Sequence, residues 1–278
     1  MNPICVTCGT QYADSSRWPE HCLICEDERQ YIGLDGQKWT VLEELRRDHH
    51  NQMQLEEPGL ASLVTEPTFA IGQRAFVVQT GEGNLLWDCL AVLDSSTIDH
   101  VRGLGGVTAI AISHPHYYTT LVEWSRAFGN ARVLLHQADR EWVMRPDPCI
   151  EFWNGDSRAL FGGLSLIRCG GHFPGGTVLH WPSGAEGKGA LLTGDILQVV
   201  PDRRWVSFMY SYPNYIPLDA AGVQGIEAAV ESVSFDRIYG AFRRMTVAQD
   251  GKMAVRRSVD RYLRAMGVSR REGRSIKP

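Results

Sequence analysis

The 278-residue sequence contains no apolar run approaching the ~20 residues needed to cross a bilayer. That absence argues against a helical membrane protein. There is no surplus of positive charge either: 28 lysines and arginines stand against 32 aspartates and glutamates, a formal net charge of -4. Such a balance argues against a chain built mainly to hold nucleic acid or an anionic membrane surface. The opening residues, MNPICVTCGT, lack the basic-then-apolar order of a secretory signal. No segment repeats at a fixed period and none is of low complexity, so solenoid and disordered architectures are set aside. Paired cystines are also not indicated. The seven cysteines are an odd number, and four of them fall in two C-x-x-C pairs, which suits metal ligation in a reducing compartment. A cytoplasmic protein is expected. With 44% hydrophobic and 22% charged residues the composition is that of a soluble globular chain, long enough for one large domain and a small module.

The first ~25 residues are rich in cysteine and poor in aliphatic side chains, unlike anything later. After the polar stretch EDERQYIGLDGQKW, Thr40-Val41-Leu42-Glu43 reads as a capping box opening a short helix through Arg47. Asp48 to Gly59 is polar, ends in Pro58-Gly59 and reads as a linker. The expected division is therefore residues 1–58 for a zinc-ribbon-like module with its linker, and 59–278 for the main domain.

From Leu60 onward short apolar runs are divided by Gly, Asn and Asp. Strands are expected at Ser62–Thr65, Ala75–Gln79, Leu85–Trp87, Val107–Ser113, Arg132–Leu135, Leu164–Arg168, Thr177–Trp181, Ala190–Thr193 and Arg237–Tyr239. Helices are expected over Thr97–Leu104 capped by Ser96, over Leu121–Phe128, and after Pro217 with Leu218, Gly222, Ile226 and Val230 on one face. A last helix carries the stripe Val255, Val259, Tyr262, Leu263 and Met266. Strands first, then strands alternating with helices, indicate a layered α/β domain. The C-terminal AVRRSVDRYLRAMGVSRREGR is basic, but its apolar stripe suits docking on the domain better than nucleic acid.

Cys5-x-x-Cys8 and Cys22-x-x-Cys25 flank a loop of thirteen residues. A C-x-x-C knuckle curls the backbone so that two thiolates face one point, and two knuckles close a tetrahedral sulfur cage suited to Zn²⁺. So small a segment has no core of its own, and the metal would supply its folding energy. CVTCGTQY is similar to a rubredoxin knuckle, which would take iron, but rubredoxin spaces its knuckles further apart, so zinc leads. Such a closed site is structural. Cys89, Cys149 and Cys169 sit in or beside apolar runs and read as buried thiols.

Three segments, each following an expected strand, carry the candidate chemistry. AIAISHPHYYTT runs into His114-Pro115-His116, RCGGHFPGG places His172 beyond two glycines, and GALLTGDIL ends on Asp195. Residues two apart on an extended chain point the same way, so both imidazoles of the first segment can face one ion. Three imidazoles and a carboxylate at strand ends form a ligand set for a divalent transition metal. His136 and His180 read as structural.

In order and spacing these segments resemble the metallo-β-lactamase-fold superfamily, whose members carry an H-x-H-x-D-H motif after a strand, a histidine in a G-H-x-x-G context, an Asp at a later strand end and a final His. The resemblance covers roughly Leu60 to the C-terminus and implies an αββα sandwich with a metal cleft between its sheets. Two positions depart from the pattern. Tyr118 and Thr119 stand where the motif has Asp and His, and RIYGAFRR offers Ala241, Phe242 and Arg243 where the last His is expected. Because the family's second metal depends on that Asp and that His, the resemblance implies one cleft ion, zinc or iron. His114, His116 and His172 would hold it, with Asp195 as fourth ligand or hydrogen-bond acceptor. Tyr118 would donate to an oxyanion or ligate the metal.

The aromatic connection after Asp195, with Trp205, Phe208, Tyr210, Tyr212 and Tyr215, is expected to wall a pocket. Arg203, Arg204, Arg243 and Arg244 offer positive charge for a carboxylate or phosphate. The leading expectation is a single-metal hydrolase acting on a small organic ester, thioester, amide or lactone of aromatic or anionic character. The alternatives are an iron oxygenase like the superfamily's persulfide dioxygenases, using His114, His172 and Asp195, and a non-catalytic metal-binding scaffold. Nucleases of the superfamily generally keep both metals, and with this net charge no nucleic-acid partner is expected.

Overall fold

Alternation along the strands sets the layering. In an extended chain successive side chains face opposite ways, so Phe76 and Val78 enter one cluster while Ala75 and Val77 enter another. The computed structural model describes residues 1–268 and places these strands in two large sheets. The first has seven strands in the order His50–Glu57, Leu60–Glu66, Arg74–Thr80, Gly83–Trp87, Ala109–Ala111, Arg132–His136 and Ile150–Trp153. Its pairing is antiparallel up to Gly83–Trp87 and parallel beyond. The second has six strands, with Ser157–Ala159, Ser165–Arg168, Thr177–Trp181 and Ala190–Leu192 antiparallel, then Arg237–Tyr239 parallel to Ala190–Leu192, and Thr246–Val247 at the edge.

Between the sheets Phe76, Trp87 and Leu134 meet Leu179, Leu192 and Tyr239. On the outer face of the first sheet Val77, Ile110 and Val133 pack on Val101 and Leu121 of the helices Ser95–Gly103 and Leu121–Ala127. On the outer face of the second, Val178, Leu191 and Ile238 pack on Ile226, Val255 and Val259 of the helices Ala220–Ala229 and Gly251–Ala265. This is the αββα sandwich that the resemblance implied. Each fully buried aliphatic or aromatic side chain contributes about 1.5–3 kcal/mol relative to its exposed state. No helix among the described residues is long and apolar enough to cross a membrane.

The nine expected strands all form, most of them within a residue or two of their expected ends. The residues read as a linker do not link: His50–Glu57 is an eight-residue strand paired with Leu60–Glu66. It is the sheet's edge, where one face and one flank meet water, so a polar sequence suffices and hides the strand. Helix starts also shift. Asp94, not Ser96, caps the helix Ser95–Gly103, its carboxylate accepting from the Thr97 amide at 2.8 Å and the Thr97 hydroxyl at 2.6 Å. Thr40 caps nothing: the helix Leu42–Asp48 begins after Val41, and the Thr40 hydroxyl donates to Glu44 at 3.0 Å. Pro217 lies in a short strand pair, while Asp219 caps the helix that follows. Val255, Val259 and Leu263 are buried as expected, but Met266 lies past the helix end and is exposed. The basic C-terminal segment runs beyond residue 268, and its last residues lie outside the described ones.

Arg74 ties the strand Arg74–Thr80 to the turn that follows Arg237–Tyr239. Its buried guanidinium donates to the carbonyls of Gly240 and Met245, both at 2.9 Å, and pairs with Glu56 at 3.1 Å. It thereby holds the turn carrying Ala241 and Phe242. Arg74→Met strands the Gly240 carbonyl and strips Glu56 of its buried cation, and should cost about 3–5 kcal/mol in urea denaturation; a loss below 1 kcal/mol would contradict this role.

Candidate metal centres

The two knuckles close into one cage. The amide of Gly9 bonds back to the Cys5 carbonyl at 2.8 Å, and the Cys25 amide to Cys22 at 2.9 Å, so each pair curls around its own turn. All four sulfurs lie within 4.8 Å of one another and are buried. Cys5 and Cys25 are 3.6 Å apart and Cys8 and Cys22 3.7 Å, too far for a disulfide. A tetrahedron with metal–sulfur bonds of about 2.3 Å has edges near ~3.8 Å, so the cage fits a Zn²⁺-sized thiophilic ion. Cys5 and Cys22 are held below the ordinary thiol range by hydrogen bonds, chiefly from Cys22 and Cys25 respectively. Cys89 is buried, and Cys149 and Cys169 are half-buried, all three apart from the cage.

The imidazole site grows from the end of the strand Ala109–Ala111. The Ser113 amide donates to Asp88 at 2.7 Å, and its hydroxyl lies 3.0 Å from His114 Nδ1. His114 is extended, and Pro115 then opens a 3₁₀ turn over Pro115–Tyr117. The two histidines therefore meet through a turn, with Pro at its favoured first position, and not through strand alternation. His172 arrives from the other sheet after Gly170 and Gly171, the latter at φ 80°, where a Cβ would stand 2.8 Å from Ile226. Gly194, at φ 52°, lets the Asp195 turn approach Ser113, whose hydroxyl would lie 2.6 Å from a Cβ there.

His114, His116 and His172 each aim one nitrogen at a common point, all within 4.8 Å. His116 Nδ1 is 3.2 Å from His172 Nε2, close to the ~3.4 Å edge of a tetrahedron with metal–nitrogen bonds of about 2.1 Å. His172 Nδ1–H donates to the Tyr210 carbonyl at 2.7 Å, which leaves Nε2 as a free lone pair. His114 Nε2 and Asp195 Oδ1 lie 3.2 Å apart, yet both are buried without a hydrogen-bond partner. Such a pair of orphaned atoms suits a shared cation. Asp195 touches the cluster through His114 and stands outside the mutually close set of three.

Burial holds His114 and His116 well below the ordinary imidazole value, reinforced by the neighbouring His172, and also lowers His172. Burial raises Asp195, opposed by His172, and pushes Asp88 up to about 8.

Tyr118 is not at this site. It is buried in the core and lines a crevice with Thr10, Gln11 and Thr119 against the cysteine module. Successive residues of a 3₁₀ turn point about 120° apart, so the turn that brings His116 inward sends Tyr118 away. Tyr117 instead faces Asp195, whose ionisation its hydroxyl favours. At Thr119 the backbone turns to φ 37° and its carbonyl accepts from Gln11 of the module at 3.1 Å.

A cavity of about 350 Å³ opens on His116, His172 and Asp195. Of the expected aromatic wall only Tyr212 lines it. Phe208 is core, Tyr215 is exposed, and Trp205 packs under Arg261 at 3.9 Å. The expected arginines are elsewhere: Arg203 and Arg204 flank a separate cleft, and Arg243 pairs with Glu66. The arginine that does line the cavity is Arg29, from the cysteine module, with Gln198 and Phe242 nearby. No motif marked Arg29, although it closely follows the second knuckle. His136 and His180 bond to the carbonyls of Gly155 and Ser234, away from the cluster.

Fold and site define a class: an αββα sandwich carrying an imidazole cluster of metal-binding geometry at its strand ends and a four-cysteine cage beside it. The metallo-beta-lactamase superfamily profile matches residues 70–228, more than half of the chain, and the protein belongs to that superfamily. The chain is 53% identical over 265 residues to YmaE of Bacillus subtilis (strain 168), described as uncharacterized, covering 95% of this chain and 96% of YmaE. Among solved structures, VMB-1 aligns with a TM-score of 0.59 at 11% identity over 78% of this chain and 98% of VMB-1. The metallo-β-lactamase FIM-1 from Pseudomonas aeruginosa gives 0.56 at 14% identity, over 77% of this chain and 96% of FIM-1. At these identities the likeness establishes the fold alone.

His172→Ala should empty the imidazole site and leave the cysteine cage loaded, lowering metal content by about one ion per chain in elemental analysis; unchanged content would refute the ligand set. The depressed imidazoles carry fewer protons under mild acid than ordinary histidines would, so an incoming ion has fewer to displace from them. Zinc affinity of the cleft, read by competition with a chromophoric chelator, should therefore change little between pH 8 and pH 6. A fall corresponding to two or three protons would show the histidines to be exposed and ordinary.

Proposed function

We propose that this protein is a metal-dependent hydrolase with one ion in the cleft, acting on a small organic ester, thioester, amide or lactone. One observation carries the reading: three buried imidazoles from both sheets converge on a single point beside a cavity. The only other group of His, Cys, Asp and Glu placed to hold an ion, among the described residues, is the cysteine cage. A single cleft ion is favoured because Tyr118 and Thr119 turn toward the module and the Gly240–Met245 turn brings Phe242, not a histidine, to the cavity. FIM-1, of the same fold, has been crystallised in a mono-zinc form.

A bound Zn²⁺ would supply a Lewis acid and a water of lowered pKa. The chain's own residues do the rest. The Tyr210 carbonyl and the Ser113 hydroxyl orient His172 and His114. The Tyr212 hydroxyl, donating to the Asp195 carbonyl at 2.7 Å, fixes the turn that presents the carboxylate. Asp195 then serves as fourth ligand or as acceptor for a proton at the reacting centre. Tyr212, Ile71 and Phe242 give the cavity an apolar side that excludes water. Among the described residues the seven cysteines are not joined by disulfides, and four of them form a metal cage, which we assign to a reducing, cytoplasmic setting.

The contact of His114 with Asp195 also permits a two-His, one-carboxylate iron face, but the close third imidazole of His116 favours the hydrolase. Metal analysis of protein purified without chelators separates the readings. About two zincs per chain supports the hydrolase, one zinc with one iron the oxygenase, and zinc in the cage alone the scaffold. In a panel of esters, thioesters, lactones and amides, at least one substrate should be turned over by the zinc-loaded protein and slowed at least 100-fold in His172→Ala. Equal rates in the two proteins would overturn the proposal.

A further inference from the structure

The cysteine module does more than sit beside the catalytic domain. It supplies Thr7, Arg29, Gln30 and Tyr31 to the wall of the cavity that exposes His116, His172 and Asp195. Its docking is extensive: Ile4, Leu42 and Leu45 pack on Ala91 and Val92, and the cage cysteines pack on Ile71, Trp142 and Met144. The loop after Asp195 is tied to it as well, Asn214 Nδ2 donating to the carbonyls of Glu28 and Gln30, each at 2.9 Å.

This arrangement braces Arg29 on several sides. It is buried, and its guanidinium carbon lies 3.9 Å from the centroid of Phe173, 5.2 Å from Trp142 and 5.4 Å from Tyr210. Phe173 in turn packs on all three metal-site imidazoles. Nε and Nη2 of Arg29 donate to Asp27 at 2.6 and 2.9 Å. Nη1 has only a long contact, 3.4 Å, with the His172 carbonyl. One edge of the fork is thus used to orient the group, and the other keeps donors for a ligand. An arginine so braced has lost its side-chain entropy before any ligand arrives, which favours anion capture. Gln198, which lines the same cavity, leaves Oε1 buried without a partner, ready to accept from a substrate N–H or O–H.

Building on the hydrolase reading, we propose that Arg29, presented by the cysteine module, is a specificity-determining residue that receives a carboxylate of the substrate beside the cleft ion. The module is then part of the substrate site, and the substrate class narrows to small carboxylate-bearing compounds with a hydrogen-bond donor for Gln198.

The test uses the full-length, zinc-loaded protein with two probes, benzoate and its neutral counterpart benzamide, titrated by calorimetry. Charge-assisted hydrogen bonds are strong enough that losing the arginine should weaken benzoate by about tenfold or more. Arg29→Gln is compared with Asp27→Asn/Arg29→Gln, which removes the pair together and leaves no carboxylate stranded if the single variant folds poorly. Both should bind benzoate at least about tenfold more weakly than the parent, change benzamide less than about twofold, and keep their zinc. Benzoate held equally by parent and double variant, or not bound by the parent at all, overturns the proposal. Repeating the titration in His172→Ala separates it from the hydrolase reading. There the Arg29-dependent preference for benzoate over benzamide should persist even with the cleft ion gone, whereas a preference that vanishes with the ion would assign the anion to the metal and refute the role of Arg29.

Discussion

Ser113 is the joint on which the imidazole site depends. Its amide is fixed by Asp88 at the end of the neighbouring strand, its carbonyl accepts from Thr177 of the other sheet at 2.9 Å, and its hydroxyl meets His114. Three bonds from one residue therefore set the first sheet, the second sheet and a ligand in one frame. Buried as it is, none of these groups has water as an alternative partner, so the geometry is strongly specified. The same burial keeps the imidazoles neutral and leaves His114 Nε2 and Asp195 Oδ1 without partners. A cation satisfies both at once, and the strand ends are shaped to present them to it.

The cysteine cage is a second constraint and acts on the first. It is too small to hold itself together by burial, yet its sulfurs pack against residues that also approach the imidazole cavity. Where the superfamily motif would carry further ligands, this chain turns its backbone to hydrogen-bond the module, the Thr119 carbonyl accepting from Gln11. Loss of those ligands and docking of the module thus occupy the same space. Arg29, brought in by the module, puts a cationic side chain on the cavity wall.

Much of the fold was legible because it rests on local pattern. Short apolar runs such as Ala75–Gln79 and Thr177–Trp181, bounded by polar residues and glycines, mark strands covered on both faces, and the strands formed where those runs lie. His50–Glu57 escaped notice because an edge strand needs little apolar surface, and the helix starts moved because Asp94 outcompetes Ser96 as a cap and Asp219 caps a helix that begins only after Pro217. The ligand histidines were visible for a different reason: imidazoles after strands, flanked by Pro or Gly, carry their own geometric signature. Tyr118 had no such protection, since one step along a 3₁₀ turn rotates a side chain out of a site, and its neighbour Tyr117 faces Asp195 instead.

By itself the sequence determined the layered α/β class, the cysteine cage and the three imidazoles, because each is written in spacing along the chain over a few residues or a strand. Only the tertiary structure decided that Asp88 braces the site, that of the loop's aromatic rings Tyr212 lines the cavity while the Tyr210 carbonyl holds His172, and that the arginine in the cavity is Arg29. Those contacts join residues far apart in the chain, Arg29 and His172 being 143 positions apart. Nothing in local pattern records which distant side chains packing will bring within reach of one another.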